Sequence, residues 1–419
     1  MKEMSALADK TSGQNSRQSS TVEDQKPVRQ KVKLGSEMLL ESGSNILTGK
    51  QMGIITNHTG VLSNGSHVVD AMKNTPGIDV AAVFSPEHGF RGDAPAGAHV
   101  EHEVDQNTGI QIYSLYGEHN KPEKSMLQGI DLLVYDIQDV GTRFYTYIST
   151  LALAMEAAAE NRIPFVVLDR PLVSAGDTVG GPMIQDGLRS FIGMLPLPIL
   201  YSLTPGELAG FIQDEYLRPK GLTTDLQVVR MGYYRRSMWY DETGLPWRPP
   251  SPNVPTFETA IIYPGAALVE GTNVSEGRGT PCPFKYIGAP FVNGDRLAEL
   301  LNSHEMPGVS FQSIDFTPHE VSFVSHPRFK DQVCHGIEVS VTDREKLKAV
   351  EVGLAMVCAL KNLNPHEVGF RADGAFDRLA GDKKVREMVE RGAGYREIAA
   401  TWEEGLSKFR HAREKYFLY

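Results

Sequence analysis

The sequence predicts a doubly wound α/β domain built on a parallel sheet, followed by a smaller α+β domain. Between about residues 50 and 235, short apolar runs alternate with stretches of helical spacing, the order that a parallel sheet with crossover helices produces. Runs such as "IDLLVYDI" are apolar on successive residues rather than on every second one, so both of their faces need cover. Beyond about residue 250 the alternation stops, first in the proline-dense "WRPPSPNVPTFETAIIYPG" and then in strands and helices that no longer take turns. At 419 residues the chain is long for one hydrophobic core, and two domains are expected.

In chain order, strands are predicted over residues 52–56, 80–84, 130–137, 165–168 and 226–229, with helices over 66–73, 122–128, 146–161 and 204–217. The last helix opens on Thr204-Pro205, a cap followed by proline in the first turn, and Glu207 stands three residues after the cap. The proline-dense stretch reads as a linker or a long ordered loop. After it come a helix over 295–301, the strands "VSFQSIDF" and "CHGIEVSVTD", a helix from 344 to about 363 and a terminal helix from about 395 to 415. Residues 1–32 are polar and are expected to be a disordered tail; 33–250 form the first domain and 251–419 the second.

Fifty-two acids against forty-two Lys and Arg give a formal charge of −10, which argues against a broad electrostatic grip on nucleic acid or an anionic membrane. No apolar run approaches the roughly 18–20 residues that span a bilayer. No apolar leader of the secretory kind is visible in this numbering. The three cysteines, Cys282, Cys334 and Cys358, are too scattered for a disulfide framework or a four-ligand zinc site.

In open α/β sheets, ligands bind outside the carboxyl ends of the strands. The residues that follow successive strands are Asn57 and His58, then Glu87 and His88, then Asp136, Gln138, Asp139 and Arg143, then Asp169 and Arg170. Any one Asp or Asn at such a place is commonly a cap or turn former. Four strand ends feeding one rim with ionisable groups call for a further explanation. A second dense group, Glu270, Asn273, Ser275, Glu276 and Arg278, lies in "VEGTNVSEGRGTPCPF".

Several chemistries lack their motif. The first strand leads into "TNHTGVLSNG", not G-x-G-x-x-G; "GSNILTGKQ" misses the spacing and hydroxyl of a phosphate loop; and neither H-E-x-x-H nor G-x-S-x-G occurs. What remains is carboxylate chemistry with arginines. Glycoside hydrolysis uses one carboxylic acid to protonate the leaving oxygen and a second group to activate water, attack the anomeric carbon or steady the oxocarbenium-like transition state. Glu87 suits the acid role, with Phe84, Pro86 and Phe90 available to desolvate it and raise its pKa. A glutamate in a turn is, equally, often a solvated or capping residue.

The motifs "FSPEHGFRGD", "YSLYG", "YDIQDVGTRFYTYIST", "VLDRP", "LTPGELAG", "LPWRPPSPN" and "EGTNVSEGRGTPCPF" occur here in an order that resembles the NamZ-type exo-β-N-acetylmuramidases, a bacterial family long known only as a domain of unknown function. The resemblance covers about residues 35–419. It implies a Rossmann-like catalytic domain without a nucleotide, joined to a smaller C-terminal domain that contributes to a cleft. It implies removal of N-acetylmuramic acid, one residue at a time, from the non-reducing ends of peptidoglycan fragments, with the glutamate of P-E-H-G, here Glu87, as the catalytic acid.

Other roles follow from the chemistry of that substrate. Muramic acid carries a lactyl carboxylate, for which a guanidinium is the natural partner; Arg91, Arg143 and Arg278 are the candidates. Tyr145 or Tyr147 is a candidate to stack on the sugar ring, packing at the start of the helix being the equal alternative. For the second catalytic group Asp136, Asp139, Glu270 and Glu276 all lie in family motifs, with Glu276 and Asp136 preferred, and the substrate's own N-acetyl oxygen is an alternative. His58, His88, Asp139, Asp169, Arg170, Glu270 and Asn273 complete the expected sugar-binding rim. No metal or cofactor is called for. Two rival readings are a non-catalytic peptidoglycan-binding protein and a deacetylase or esterase acting on the same glycan, the latter needing a metal triad or an activated serine that the sequence does not display. The substrate places the expected site of action in the periplasm or otherwise outside the cytoplasm.

Overall fold

The side chains of the main sheet divide strand by strand between two apolar layers. Among the described residues its seven strands are β1 (Gln51–Thr56), β2 (Asp79–Ser85), β3 (Glu103–Val104), β4 (Gln111–Ser114), β5 (Leu132–Asp136), β6 (Phe165–Leu168) and β7 (Leu226–Val229). They lie in the order β3-β4-β2-β1-β5-β6-β7, parallel except for β3, which pairs antiparallel with β4. Leu133 and Tyr135 of β5 and Phe165 and Val167 of β6 enter one layer, while Leu132, Val134, Val166 and Leu168 enter the other. Both faces are therefore buried, as the unbroken apolar runs require.

Helices supply the cover. α1 (Gly35–Glu41) and α2 (Val68–Lys73) place Leu39, Val68, Val69 and Met72 in one layer, and α3 (Tyr147–Asn161) and α4 (Pro205–Ile212) place Leu151, Met155, Leu208 and Phe211 in the other. α4 begins with the expected capping box, the Thr204 hydroxyl accepting from Glu207 N and the Glu207 carboxylate from Thr204 N. The second half holds α5 (Phe257–Ala266), β8 (Tyr286–Ala289), α6 (Gly294–Asn302), β9 (Val309–Phe316), β10 (Cys334–Val341), α7 (Ala349–Leu363), α8 (Ala375–Ala380), α9 (Lys383–Glu390), α10 (Tyr395–Ala400) and α11 (Glu403–Arg413). Its three strands form an antiparallel sheet in the order β8-β10-β9.

The computed structural model describes residues 30–42, 46–87, 89–91, 103–117, 119–324 and 326–419, so most of the expected tail, and His88, lie outside the described residues. Lys31–Tyr419 form one compact unit, and the layer that holds Leu151 and Phe165 continues into Ile262 of α5 and Val357 of α7, so the two halves share a core. Among the described residues no helix is long and apolar enough to cross a membrane.

Besides elements left unpredicted, such as β4, the sequence reading departs from this structure in three notable expectations. Residues 122–128 are turns, not a helix: Met126 and Leu127 are buried side by side instead of a turn apart, and hydrogen bonds such as Met126 N to Glu123 O (3.0 Å) close single turns only. The proline-dense stretch is no mere linker, because α5 emerges from it with the Thr256 hydroxyl capping Thr259 N (3.1 Å). The terminal helix breaks at Thr401 into α10 and α11.

Candidate active site

The sheet's order reverses at β1, since the chain runs from β1 out to β2 and β4 and returns to β5 on the other side. In doubly wound sheets the crevice at that point takes the ligand. Here the protein's own hydrogen bonds bridge the strand ends: the Thr56 hydroxyl donates to Asp136 O (2.7 Å) and Gln138 N donates to the Thr59 hydroxyl (2.9 Å). A Cβ on Gly60 would lie 2.1 Å from Thr56 Oγ1, so the loop after β1 packs closely against the strand end. A second group of ionisable residues lies beyond β2, beside the start of α3.

Glu87 follows β2 directly and is half-buried. Its Oε2 accepts from the Thr146 hydroxyl at 3.2 Å. Thr146 holds the N-cap position of α3, yet its side chain makes no capping bond, and the hydroxyl serves Glu87 instead. Tyr116 is the second partner: burial first, and then the charge of Glu87 and a hydrogen bond to it, push the Tyr116 hydroxyl above its ordinary value. Phe84 and Phe90 do not wrap Glu87 together as the sequence suggested. Phe84 enters the layer under α3, whereas Phe90 enters the opposite layer, edge-on to His67 with ring centroids 4.8 Å apart.

α5 brings the second half of the chain to this rim. α5 and α7 cross at Gly265 and Gly353, where a Cβ on Gly265 would meet Ala349 O at 1.8 Å and one on Gly353 would meet Gly265 O at 2.0 Å. That close approach seats Tyr263 beside Tyr145, Phe144 and Phe284, with ring centroids 5.8, 5.7 and 4.8 Å away. Burial pushes the Tyr263 hydroxyl well above its ordinary value; Glu270, Glu87 and Asp139 push the same way and Arg278 opposes them. Tyr263 is thus the common neighbour of acids from both halves.

Behind Tyr263, the Arg278 guanidinium bridges two carboxylates, with Nη2 to Glu270 Oε1 and Nη1 to Glu276 Oε1 both at 3.1 Å. Burial raises the Glu270 carboxyl, a rise that Arg278 tempers and Glu276 reinforces. Burial would lower Arg278, but the two carboxylates hold it above its ordinary value. The other oxygen of Glu276, Oε2, is buried and has no hydrogen-bond partner among the described residues. Asp139 carries a similar open atom: Oδ1 accepts from Gly141 N (2.6 Å) and the Tyr201 hydroxyl (3.0 Å), while Oδ2 has no partner among the described residues, and burial pushes the carboxyl up to about 7.

The remaining expected rim residues are held in other work. Asp136 is fully buried, with Arg170 donating to both of its oxygens through Nε and Nη2, so no oxygen is left for catalysis. Asp169 is fully buried and accepts from Gly206 N (2.8 Å), the Thr204 hydroxyl (2.9 Å) and the Tyr419 hydroxyl (2.7 Å), anchoring the start of α4. Arg143 is equally buried and spends its guanidinium on the carbonyls of Pro182 (2.9 Å), Leu197 (3.0 Å) and Leu379 (2.8 Å), which ties the main sheet to α8. Arg91 is clamped between Asp70 (3.4 Å) and Asp105 (3.0 Å). Asn273 ties the 367–369 backbone, and His58 Nε2 lies 2.9 Å from Pro249 O.

Of the expected residues, then, Tyr145 packs against Tyr263, Glu87, Asp139, Glu270 and Arg278 act on Tyr263 through their charge, and Glu276 joins the group through Arg278. The residues that sequence reasoning missed are Tyr116, Thr146 and Tyr263 themselves, although all three lie in the quoted motifs or the proline-dense stretch.

Comparison with known proteins gives the arrangement its relatives. Family models described as exo-beta-N-acetylmuramidase NamZ match over residues 52–258, N-terminal part, and 261–419, C-terminal part. The chain is 44% identical over 389 residues to the peptidoglycan beta-N-acetylmuramidase NamZ of Bacillus subtilis (strain 168), spanning 93% of this chain and 92% of that protein. Crystal structures of two DUF1343 family proteins of Bacteroides fragilis NCTC 9343 superpose with TM-scores of 0.86 and 0.76 at 35% and 34% identity, each covering 93% of this chain and 99% of the other.

Proposed function

Since the chain belongs to the NamZ family of exo-β-N-acetylmuramidases, we infer that it is a glycosidase that removes β-linked N-acetylmuramic acid from the non-reducing ends of peptidoglycan fragments. The observation that carries this reading to particular residues is the Glu87 carboxylate held by the Thr146 hydroxyl, together with the Glu270–Arg278–Glu276 group, whose Glu270 and Arg278 act with Glu87 on Tyr263 through their charge.

Glu87 gives its proton to the glycosidic oxygen as the bond to the anomeric carbon breaks. Thr146 and Tyr116 fix the carboxyl so that the proton points at one place. Glu276 is the preferred second group, because its open Oε2 is able to take the proton of the attacking water while Arg278 holds Oε1. Asp136, the other preferred candidate from sequence, drops out because Arg170 occupies both its oxygens. Action outside the cytoplasm follows from where peptidoglycan lies; fractionation that found the protein only with cytoplasmic markers would overturn that location.

Release of a chromogenic group from β-linked N-acetylmuramic acid and from its N-acetylglucosamine counterpart tests the reading. Turnover of the muramyl compound with little or none of the other supports it. Binding of the muramyl sugar without turnover of a muramyl disaccharide would favour the non-catalytic alternative.

A further inference from the structure

Each guanidinium that sequence reasoning offered to the lactyl carboxylate is already claimed. Arg91 has two carboxylates, Arg143 has three carbonyls, and Arg278 is shared between Glu270 and Glu276. A charged pair already made must be broken before either member can serve a ligand, which makes Arg91 and Arg278 poor readers of a new anion, and Arg143 is fully buried, out of reach of one.

A different arginine stands at the same group without such a debt. Arg328 enters from the loop between β9 and β10, its Nη1 donating to Val274 O at 3.2 Å and its Nη2 to Glu270 O at 3.0 Å. Those carbonyls belong to the Glu270–Glu276 segment itself, so they fix the plane of the guanidinium against it. The loop is itself pinned to that segment, because His319 N donates to Gly279 O at 2.8 Å and a side chain on Gly279 would strike His319 O and Pro327. Of the five N–H donors of an arginine, two are used in these bonds. Among the described residues no carboxylate forms an ion pair with Arg328; Glu276 and Glu270 act on it only through their charge, and burial lowers it from the ordinary arginine value. Arg371, its cationic neighbour, has Asp373 at 2.6 Å.

We propose that Arg328 is the specificity-determining residue that reads the lactyl carboxylate of the muramyl sugar. The inference rests on the muramidase reading above and deepens it. A half-buried, plane-fixed guanidinium with open donors and no carboxylate partner is suited to grip both oxygens of an incoming carboxylate. The ligand supplies the directly paired carboxylate that the described residues do not.

The test compares a β-linked muramyl chromogenic substrate bearing the free lactyl acid with the same compound carrying that acid as its neutral methylamide, in wild type, Arg328→Met and Arg328→Lys. Wild type is expected to prefer the free acid in kcat/KM by about 10- to 100-fold, the range of a charge-assisted pair. Arg328→Met is expected to lose that preference by slowing on the acid alone, with Arg328→Lys in between. Equal turnover of acid and methylamide by wild type would overturn the proposal whether or not the variants fold. So would a variant slowed equally on both, which marks a structural role. Wild type inactive on either compound and on a muramyl disaccharide would instead strike the muramidase reading itself.

Discussion

Replacing Asp139 by asparagine isolates the effect of burying a carboxyl with one open oxygen at this rim. In the folded protein the group keeps its proton up to about 7, against the ordinary 3.8. Between those values the folded state binds more protons than the unfolded state, so stability falls as pH rises through the window and is flat above it. About three decades of proton affinity at ~1.4 kcal/mol each come to roughly 4 kcal/mol. Asparagine removes that dependence but places an amide where Oδ2 has no partner, at a cost of about 1–3 kcal/mol. Asp169, also pushed up to about 7 by burial, contributes alike to both proteins and cancels. The variant should therefore be the less stable protein near pH 4 and the more stable one above pH 8. At this chain length ~1–2 °C accompanies each kcal/mol, so the difference in melting temperature should swing by roughly 4–8 °C across that range. Thermal melts of both proteins at matched ionic strength from pH 4 to 8.5 decide it. A difference that stays constant with pH would refute the reasoning.

Other substitutions separate framework from chemistry. Arg143→Ala strips three buried carbonyls of their donor and opens a cavity, so it should cost about 3–5 kcal/mol of stability; a loss below about 1 kcal/mol in denaturant or thermal unfolding would contradict that role. Thr146→Val removes the hydroxyl from Glu87 without removing a cap from α3, so kcat should fall about tenfold with KM and melting temperature nearly unchanged, and a melting loss in its place would show that the hydroxyl serves the helix. Glu276→Gln should lower kcat by about 100-fold or more while leaving the fold intact, and an unaltered rate would remove Glu276 from the reaction.

The parts of the fold that were legible in the sequence are those in which burial on both faces leaves a continuous apolar run. β1, β2, β5 and β6 all lie where such runs stand, β7 is a half-buried edge strand found from its Leu and Val residues, and α4 was announced by Thr204, Pro205 and Glu207. β4 was missed because four residues alternating between buried and half-buried, "QIYS", are too short a pattern to rise above their surroundings. α5 was masked by the prolines around it; Pro264 sits near its end, and its burial comes from contact with α7, far along the chain, which local propensity does not reveal. At the rim, Glu87, Glu276 and Arg278 were visible as residue types in dense motifs, but the sequence could not separate Asp136 and Arg143 from them. Which carboxylate is free and which is locked depends on partners such as Arg170 and the carbonyl of Leu379, brought together from far along the chain. Tyr263 and Arg328 carry no motif of their own, and only packing shows that they meet the acids.

The central claim, that Glu87 delivers the proton to the leaving oxygen, is tested most directly by Glu87→Gln assayed on two muramyl glycosides. One has the sugar alcohol of the natural disaccharide as leaving group, and the other a dinitrophenolate, which departs without a proton. The account predicts a loss of about 100- to 10,000-fold on the disaccharide and a nearly preserved rate of glycosidic cleavage on the dinitrophenyl compound. Equal losses on the two substrates would contradict it and move the acid to another residue of the rim.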